Sequence, residues 1–577
     1  MKLIFVFSAL ALAAQDPAAL YKQQCAVCHA DPATRAPSLE SMAARSAEAV
    51  LTALVSGAMR VQGARLSGVE RRAIAEYITG KKMAGDASGT SKGRCATNPP
   101  LSGSVAWNGW SPSSNNSRYA PTGLTAEQTP KLKLKWAFGF PDATLAWAQP
   151  SIAFGRVFVG SHNGTVFSLD AKTGCIYWTF SARGGVRTAV AIDSKAVYFG
   201  DTSSNVYALN AATGALLWTR RVETHPSSRV TGSPALHQNR LFVPLSSYEE
   251  AQGANPDYEC CTFRGSLVAL DTATGEVAWK TYVIPTEPAP RGKSLKGKTL
   301  YGPAGGAIWS APTVDAKRGV VYAATGNSYT GPSQETTDAV IAFDIATGKM
   351  KWVRQATPDD AFVIGCRPGV TNPNCPEKTG PDFDFGNPPM LVNDVIYIGQ
   401  KSGVGYAMDP NDKGRILWQY KAGQGSALGG MEWGSAADNS TVYFPVSDIF
   451  GPKPGGLHAV DMKTGERVWY APPADLACGA PGRGCNAALA AAISVIPGAV
   501  FAGSNDGAIR AHSTKDGVVI WEFNTNREFE TVNGITAKGG SIQGPGPAIA
   551  DGMMYVNSGY GAFGGRPGNV LLAFGVE

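Results

Sequence analysis

Phe167-Ser168-Leu169-Asp170-Ala171-Lys172-Thr173-Gly174-Cys175-Ile176-Tyr177-Trp178 reads as a strand, an Asp-x-x-Thr-Gly turn and a second strand ending in Trp. Glycine stands where a tight turn needs positive φ. Units of this form return at Val206–Trp218, Leu267–Trp279, Val340–Trp352, Gly405–Trp418, Leu457–Trp469 and Ile509–Trp521. The tryptophans lie 40, 61, 73, 66, 51 and 52 residues apart, too uneven for a solenoid but natural for propeller blades with insertions on one face. An eighth unit is split. Asn569–Phe574 is a strand with no Trp strand after it, and Lys131–Trp136 is a Trp strand with no turn before it. Pairing them closes the ring and removes the exposed edges of an open array. The expected fold is an all-β eight-bladed propeller over residues 105–577, with the repeated tryptophans docked between blades.

Composition agrees. The chain has 577 residues, enough for more than one domain, with 17% charged residues, 68 Gly and 38 Pro. That balance favours a turn-rich β protein and excludes coiled coils and long disordered tails. The net charge of +6 comes from scattered Lys and Arg, so no nucleic-acid partner is expected. Met1-Lys2, an apolar run over Leu3–Ala14 and the small residues Ala11 and Ala13 predict a secretory signal peptide over 1–14, too short to span a bilayer. With no later apolar stretch of spanning length, the mature chain is expected in the periplasm, where disulfides persist. Of ten cysteines, Cys366 with Cys375 and Cys478 with Cys485 sit in short loops that favour closure on themselves. Cys95 and Cys175 then remain for each other, although sequence alone does not fix connectivity.

Cys25-Ala26-Val27-Cys28-His29 is the CxxCH of c-type haem attachment: two thiols for thioethers and a histidine for the iron. Helices expected over Asp16–Gln24, Ala47–Val55 and Ser67–Tyr77 make residues 15–83 a small all-α cytochrome c domain. Residues 84–104, rich in Gly, Ser, Thr and Lys, read as linker. A thioether sixth ligand suits electron transfer, with Met42, Met59 and Met83 as candidates. Met59, in Gly57-Ala58-Met59 ahead of the last helix, is the choice. Gly559-Tyr560-Gly561-Ala562-Phe563-Gly564 matches GxGxxG formally, but no βαβ unit follows it, so dinucleotide binding is not expected.

Trp-ended propeller repeats fused to a cytochrome c resemble the quinohaemoprotein alcohol dehydrogenases, which use pyrroloquinoline quinone (PQQ). Asn116-x-Arg118-Tyr119, Glu259-Cys260-Cys261-Thr262-Phe263-Arg264-Gly265 and Gly430-Met431-Glu432-Trp433-Gly434 look most like the polyvinyl-alcohol-dehydrogenase branch. The resemblance covers nearly all of residues 20–577. It implies a Cys260–Cys261 disulfide on one face of the quinone and Trp309 on the other. Trp433 would line the ring edge, and Thr231 and Arg187 are weaker matches for contacts to the cofactor's carboxylates. Thr325-Gly326-Asn327 resembles a family motif whose Asn binds the metal. Ser247-x-x-Glu250 resembles a second, making Glu250 the ligand and Glu249 its neighbour. Asp382-Phe383-Asp384 resembles a displaced D-Y-D, with Asp382 as base and metal neighbour and Asp384 as a further carboxylate. Alternation along extended backbone would put both acids on one side. Lys401 resembles the cation beside the quinone carbonyls.

The resemblance therefore implies oxidation of an alcohol with PQQ and calcium, a lanthanide being the alternative ion. Electrons would pass to the chain's own haem and then to an external acceptor such as a soluble cytochrome c. The expected substrate is a secondary alcohol or polyvinyl alcohol. The rival readings are small primary alcohols and a non-catalytic propeller scaffold carrying an electron-transfer cytochrome.

Overall fold

A computed structural model describes residues 16–31, 34, 36–55, 57–63, 66, 68–83, 92–294, 296–366, 370, 372–482 and 484–576. The expected signal peptide lies outside the described residues, as does the middle of the linker. Eight antiparallel sheets of four or five strands follow one another along the described residues, with three two-stranded ribbons in the loops between. The first, Ser151–Ala153, Arg156–Gly160, Thr165–Asp170 and Ile176–Ser181, gains Val105–Trp107 along its first strand. The last is completed from both ends of the propeller: Lys133–Gly139 pairs with Val570–Gly575, in register from Lys133 opposite Gly575 to Gly139 opposite Val570. The split eighth blade therefore closes the ring.

The Trp-Gly repeat is an inter-blade joint. Gly174, Gly214, Gly275, Gly348, Gly414, Gly465 and Gly517 all have positive φ. Each receives the Trp of the preceding blade: a Cβ on Gly174 would lie 2.7 Å from the Trp136 ring, and one on Gly214 2.7 Å from Trp178. The indole N–H then donates across the joint. Trp136 reaches Ala171 O at 3.2 Å, Trp178 reaches Ala211 O at 2.9 Å, and Trp521 reaches Leu132 O at 3.2 Å. Turn and tryptophan thus recur together because each fits only the other.

An arm that precedes the first full blade lies across the inner strands. Backbone oxygens of Ser114, Asn115, Ser117 and Arg118 accept from Val314, Leu391, Ala437 and Val495, one from each of four successive blades. Asn116 donates to Pro312 O at 3.0 Å and Thr313 Oγ1 at 2.7 Å. The fully buried Arg118 guanidinium reaches Ile493 O at 2.6 Å, Ser494 Oγ at 3.0 Å and Pro547 O at 3.0 Å. It also stacks on Trp107 and Trp110. Burial lowers its pKa to about 9, and five protein acceptors offset the desolvation.

The N-terminal helices run over Pro17–Gln24, capped by Asp16, then Ala47–Val55 and Gly68–Thr79, with short turns of helix between. They enclose Leu20, Tyr21, Leu51, Leu54, Ile74 and Ile78. Disulfides join Cys366–Cys375 and Cys478–Cys485, as the loop lengths suggested, Cys95–Cys175, the pair left by elimination, and Cys260–Cys261. No described helix is long and apolar enough to cross a membrane.

Candidate active site

Four stretches far apart in sequence converge on one end of the ring. In each blade the turn between the second and third strands faces this end, and two such turns carry Thr325-Gly326-Asn327 and Gln400-Lys401-Ser402. The Lys401 ammonium lies 3.0 Å from Asp382 Oδ1 and 2.9 Å from Asp384 Oδ2. Asp384 is a hub: its Oδ1 accepts the Asn327 backbone N–H at 2.7 Å, and its Oδ2 also accepts the Trp309 indole N–H at 3.2 Å. Gly326 is required here, since a Cβ would lie 2.8 Å from Asp384 Oδ1. Gly386 is required under Trp309, where any side chain would overlap the indole and the Glu432 carbonyl.

The two acids converge by a route other than the extended alternation expected. Residues 381–386 form no strand, and Asp382 adopts φ +61°, a left-handed conformation that costs a non-glycine residue energy. Asp360 holds it there, accepting Asp382 N–H on Oδ1 at 3.1 Å and Phe383 N–H on Oδ2 at 2.7 Å.

The charge balance is uneven. Glu250, Asp338, Asp360, Asp382, Asp384 and Glu432 surround the single ammonium of Lys401. Burial opposes the charge on Lys401, but Asp382, Asp384 and Glu250 outweigh it and hold the ammonium charged. Burial, then repulsion from Asp384, raises Glu250 to about 8. Burial raises Glu432 to about 7 and lifts Asp338 and Asp382 well above the usual carboxylate range. Such a cluster of hard oxygens is short of positive charge, which is the donor chemistry of a calcium or lanthanide site. Among the described residues no three His, Cys, Asp or Glu side chains form a ready-made cage, so the Asn327 amide would have to join the carboxylates. Its Nδ2 donates to Ser328 O and Phe362 O, which turns its oxygen away from them.

Glu249 and Glu250 divide their work. Glu249 is fully buried and accepts from Tyr258 Oη at 2.9 Å, Thr262 N at 2.9 Å and Phe263 N at 2.7 Å. It thereby anchors the chain that follows the cysteine pair. Glu250 alone of the two interacts with Asp384, Lys401 and Asp360.

Beside the acids lies a pocket lined by Trp110, Trp147, Arg187, Thr231, Trp309 and Trp433, among others. Trp309 meets Trp433 edge to face at 4.9 Å and packs beside the apolar cluster holding Cys260–Cys261, Tyr329 and Val363. Arg187 stacks on Trp433 at 4.2 Å. Arg187 Nη2 and Trp110 Nε1, both on this lining, are buried donors with no acceptor among the described residues. Unfilled donors around an aromatic-lined space fit a flat polyanion such as PQQ. Thr231 faces the cavity but its hydroxyl is engaged with Ser246 Oγ at 2.6 Å.

In the helical domain Cys25, Cys28 and His29 share one helical turn, and both thiols are free. His29 Nδ1 lies 2.7 Å from Pro37 O, which leaves Nε2 as the nitrogen for iron. Met59 is partly buried against the helical core, while Met42 lies inside it. The free cysteine pair, in a chain whose other described cysteines are all bridged, fits a covalently attached haem.

Comparison with known proteins decides the family. Over 99% of its length the chain is 42% identical to a polyvinylalcohol dehydrogenase of Pseudomonas sp., covering 95% of that protein. The chain belongs to the polyvinylalcohol dehydrogenase family. A second family member, from Sphingopyxis sp. (strain 113P3), is 39% identical over 97% of the chain and 93% of its own length. The polyvinylalcohol dehydrogenases are oxidoreductases acting on CH–OH. The PQQ_2 family model, described as outer membrane protein assembly factor BamB, matches segments from residue 96 to 574. A cytochrome model described as cytochrome C oxidase, cbb3-type, subunit III matches 12–78. The fold is that of the quinohemoprotein alcohol dehydrogenase from Comamonas testosteroni, with a TM-score of 0.60 and 19% identity over 82% of this chain and 80% of that one.

Two acids of the site escaped the sequence reading. Glu432 stands inside the Gly430–Gly434 stretch, read there only for its tryptophan, while Asp360, in Thr357-Pro358-Asp359-Asp360, was legible only as the alternative base ahead of the insertion. Asp338 has no local signal at all.

Proposed function

We propose that this chain is a periplasmic dehydrogenase that oxidises secondary hydroxyls, those of polyvinyl alcohol foremost. In this reading residues 15–83 carry haem c, 84–104 form a linker and 105–577 bind PQQ. The observation that carries it is Lys401, whose ammonium joins Asp382 and Asp384 beside the Trp309 ring. When bound, the quinone supplies a hydride-accepting carbonyl and the metal a Lewis acid.

The protein's own groups supply the rest. Asp382 takes the hydroxyl proton of the alcohol, with Asp360 fixing its backbone and Lys401 one of its oxygens. Lys401 places a permanent positive charge where oxyanion character develops. Glu250, Asn327 and Asp384 would hold the ion, with Asp382 beside it; calcium is the expected ion, and a lanthanide would suit the second aspartate. Cys260–Cys261 and Trp309 would be the residues that pack against the quinone and exclude water. Trp433 borders its edge, and Arg187, with Thr231 behind it, answers its carboxylates. Cys25, Cys28, His29 and Met59 would hold the haem, which would supply a one-electron acceptor between the quinone and an external acceptor such as a soluble cytochrome c. Fusing the first acceptor to the propeller raises its effective concentration.

The test is haem reduction in protein loaded with PQQ and calcium. Polyvinyl alcohol and small secondary alcohols should bleach the oxidised haem spectrum. Reduction by methanol or ethanol, with none by secondary alcohols, would overturn the substrate assignment.

A further inference from the structure

The helical domain docks on the end of the propeller that carries the site. The Ser161–Gly164 turn of the first blade occupies the place that Thr325–Asn327 and Gln400–Gly403 occupy in theirs, between second and third strands. Gly68, at the start of the last helix, packs so closely on the Asn163 carbonyl that a side chain there would overlap it. Arg72 pairs with Asp142 at 3.4 Å beside the same turn.

Arg71 is the centre of this contact. It is almost fully buried, and its guanidinium reaches both ways: Nη2 to His162 O at 3.4 Å, Nη1 to Gly63 O at 3.2 Å. Gly63 N–H in turn donates to Met59 O at 2.8 Å. On the propeller side the His162 ring meets the Trp147 ring edge to face, with centroids 4.4 Å apart. Trp147 lines the cavity, its orientation fixed by an indole bond to Val186 O at 3.0 Å. A continuous series of ring contacts and hydrogen bonds therefore runs from the cavity wall to the backbone of Met59. Burial, with Arg71 next, lowers His162 to about 3, so the ring is neutral at working pH and adds no charge.

We propose that Trp147 and His162, clasped by Arg71, form the bridge along which electrons leave the cavity and reach the haem from its Met59 side. The inference rests on the reading of the cavity as the PQQ site and of Met59 as the axial ligand. The rings act as a tunnelling medium and are not themselves oxidised. Each passage takes one electron from the reduced quinone and converts iron(III) to iron(II). Two passages, with an external one-electron acceptor reoxidising the iron between them, restore the quinone and release its two protons to water. Arg71 is a positioning residue that closes the gap between the two domains.

The experiment compares two readouts on PQQ- and calcium-loaded protein: stopped-flow haem reduction by alcohol, and turnover with a small phenazine dye that accepts electrons at the cavity. His162→Leu and Arg71→Met should slow haem reduction by about tenfold or more while dye-linked turnover stays at the wild-type value. Trp147→Leu should slow haem reduction more than dye turnover, and Trp147→Phe should recover most of the loss. Arg71→Lys guards against misfolding, because it keeps the charge and should retain an intermediate rate. Hydrogen exchange of the Gly68–Thr79 amides, which needs no quinone, should rise in Arg71→Met. Wild-type haem reduction in both His162→Leu and Arg71→Met would overturn the bridge, as would equal losses in both readouts. Absence of dye-linked turnover in the unmodified protein would instead overturn the enzyme assignment itself.

Discussion

Asp360 grips Asp382 by the backbone, not by the side chain: its two oxygens take the N–H groups of Asp382 and Phe383, at 3.1 and 2.7 Å. The carboxyl of Asp382 is thereby left to Lys401 and the cavity. Asp360→Asn keeps the shape but offers one acceptor oxygen where two N–H groups need two. It should lower kcat by about ten- to a hundredfold, through misplacement of the base, with little change in PQQ affinity. Steady-state kinetics beside a PQQ titration distinguishes this from a binding defect.

Removing the base itself gives a different pattern. Asp382→Ala should still bind PQQ yet lose alcohol-dependent haem reduction by about three orders of magnitude. Asp384→Ala should lose the metal and free Trp309 at once, since one carboxylate serves both Asn327 N–H and the indole. Excess calcium should restore part of its activity. Near-full activity in Asp382→Ala with a dead Asp360→Ala would move the base upstream of the Cys366–Cys375 loop.

Gly386→Ala tests the face of the cavity under Trp309. The new methyl collides with the indole and with the Glu432 carbonyl, so Trp309 must move. PQQ affinity, followed by fluorescence quenching, should fall by about tenfold or more, and the melting temperature should fall too, because the Glu432 carbonyl is backbone and cannot swing aside. Unchanged affinity would remove Trp309 from the cofactor site.

Ring closure is tested by deleting the last ten residues. The loss of Val570–Gly575 exposes Lys133–Gly139 and Met553–Ser558 as open edges, so the product should aggregate. A soluble, normally melting truncation would contradict the shared eighth blade.

The haem ligand is tested by two methionines. Met59→Ala should abolish the sulfur-to-iron charge-transfer band of the oxidised spectrum. Met42→Ala should keep the band but destabilise the helical domain by about 2–5 kcal/mol, because Met42 is core.

Much of this architecture was legible in the sequence because it is local. A turn glycine and a Trp recur within a dozen residues of each other, and each Trp meets the turn glycine of the next blade at seven successive joints. The two half-blades were legible for the same reason, each being the missing half of a known unit. Asp382 and Asp384 were legible as a pair, but the left-handed turn at Asp382 was not, since Asp360, more than twenty residues upstream, imposes it. Glu432 passed unnoticed because its importance lies in its neighbours across the ring. The docking of Arg71 on His162 joins residues 91 apart and follows no pattern in either.

The arm at Ser114–Ala120 bears on the order of assembly. Trp309 precedes Thr313–Asp315 on its inner strand, so the arm's bonds at Val314 lie away from the site, and Arg118 and Trp110 make a floor there. That floor cannot set until Val495 and Pro547 have been made and folded, so an arm from the start of the propeller takes its seat only when the last blades are in place.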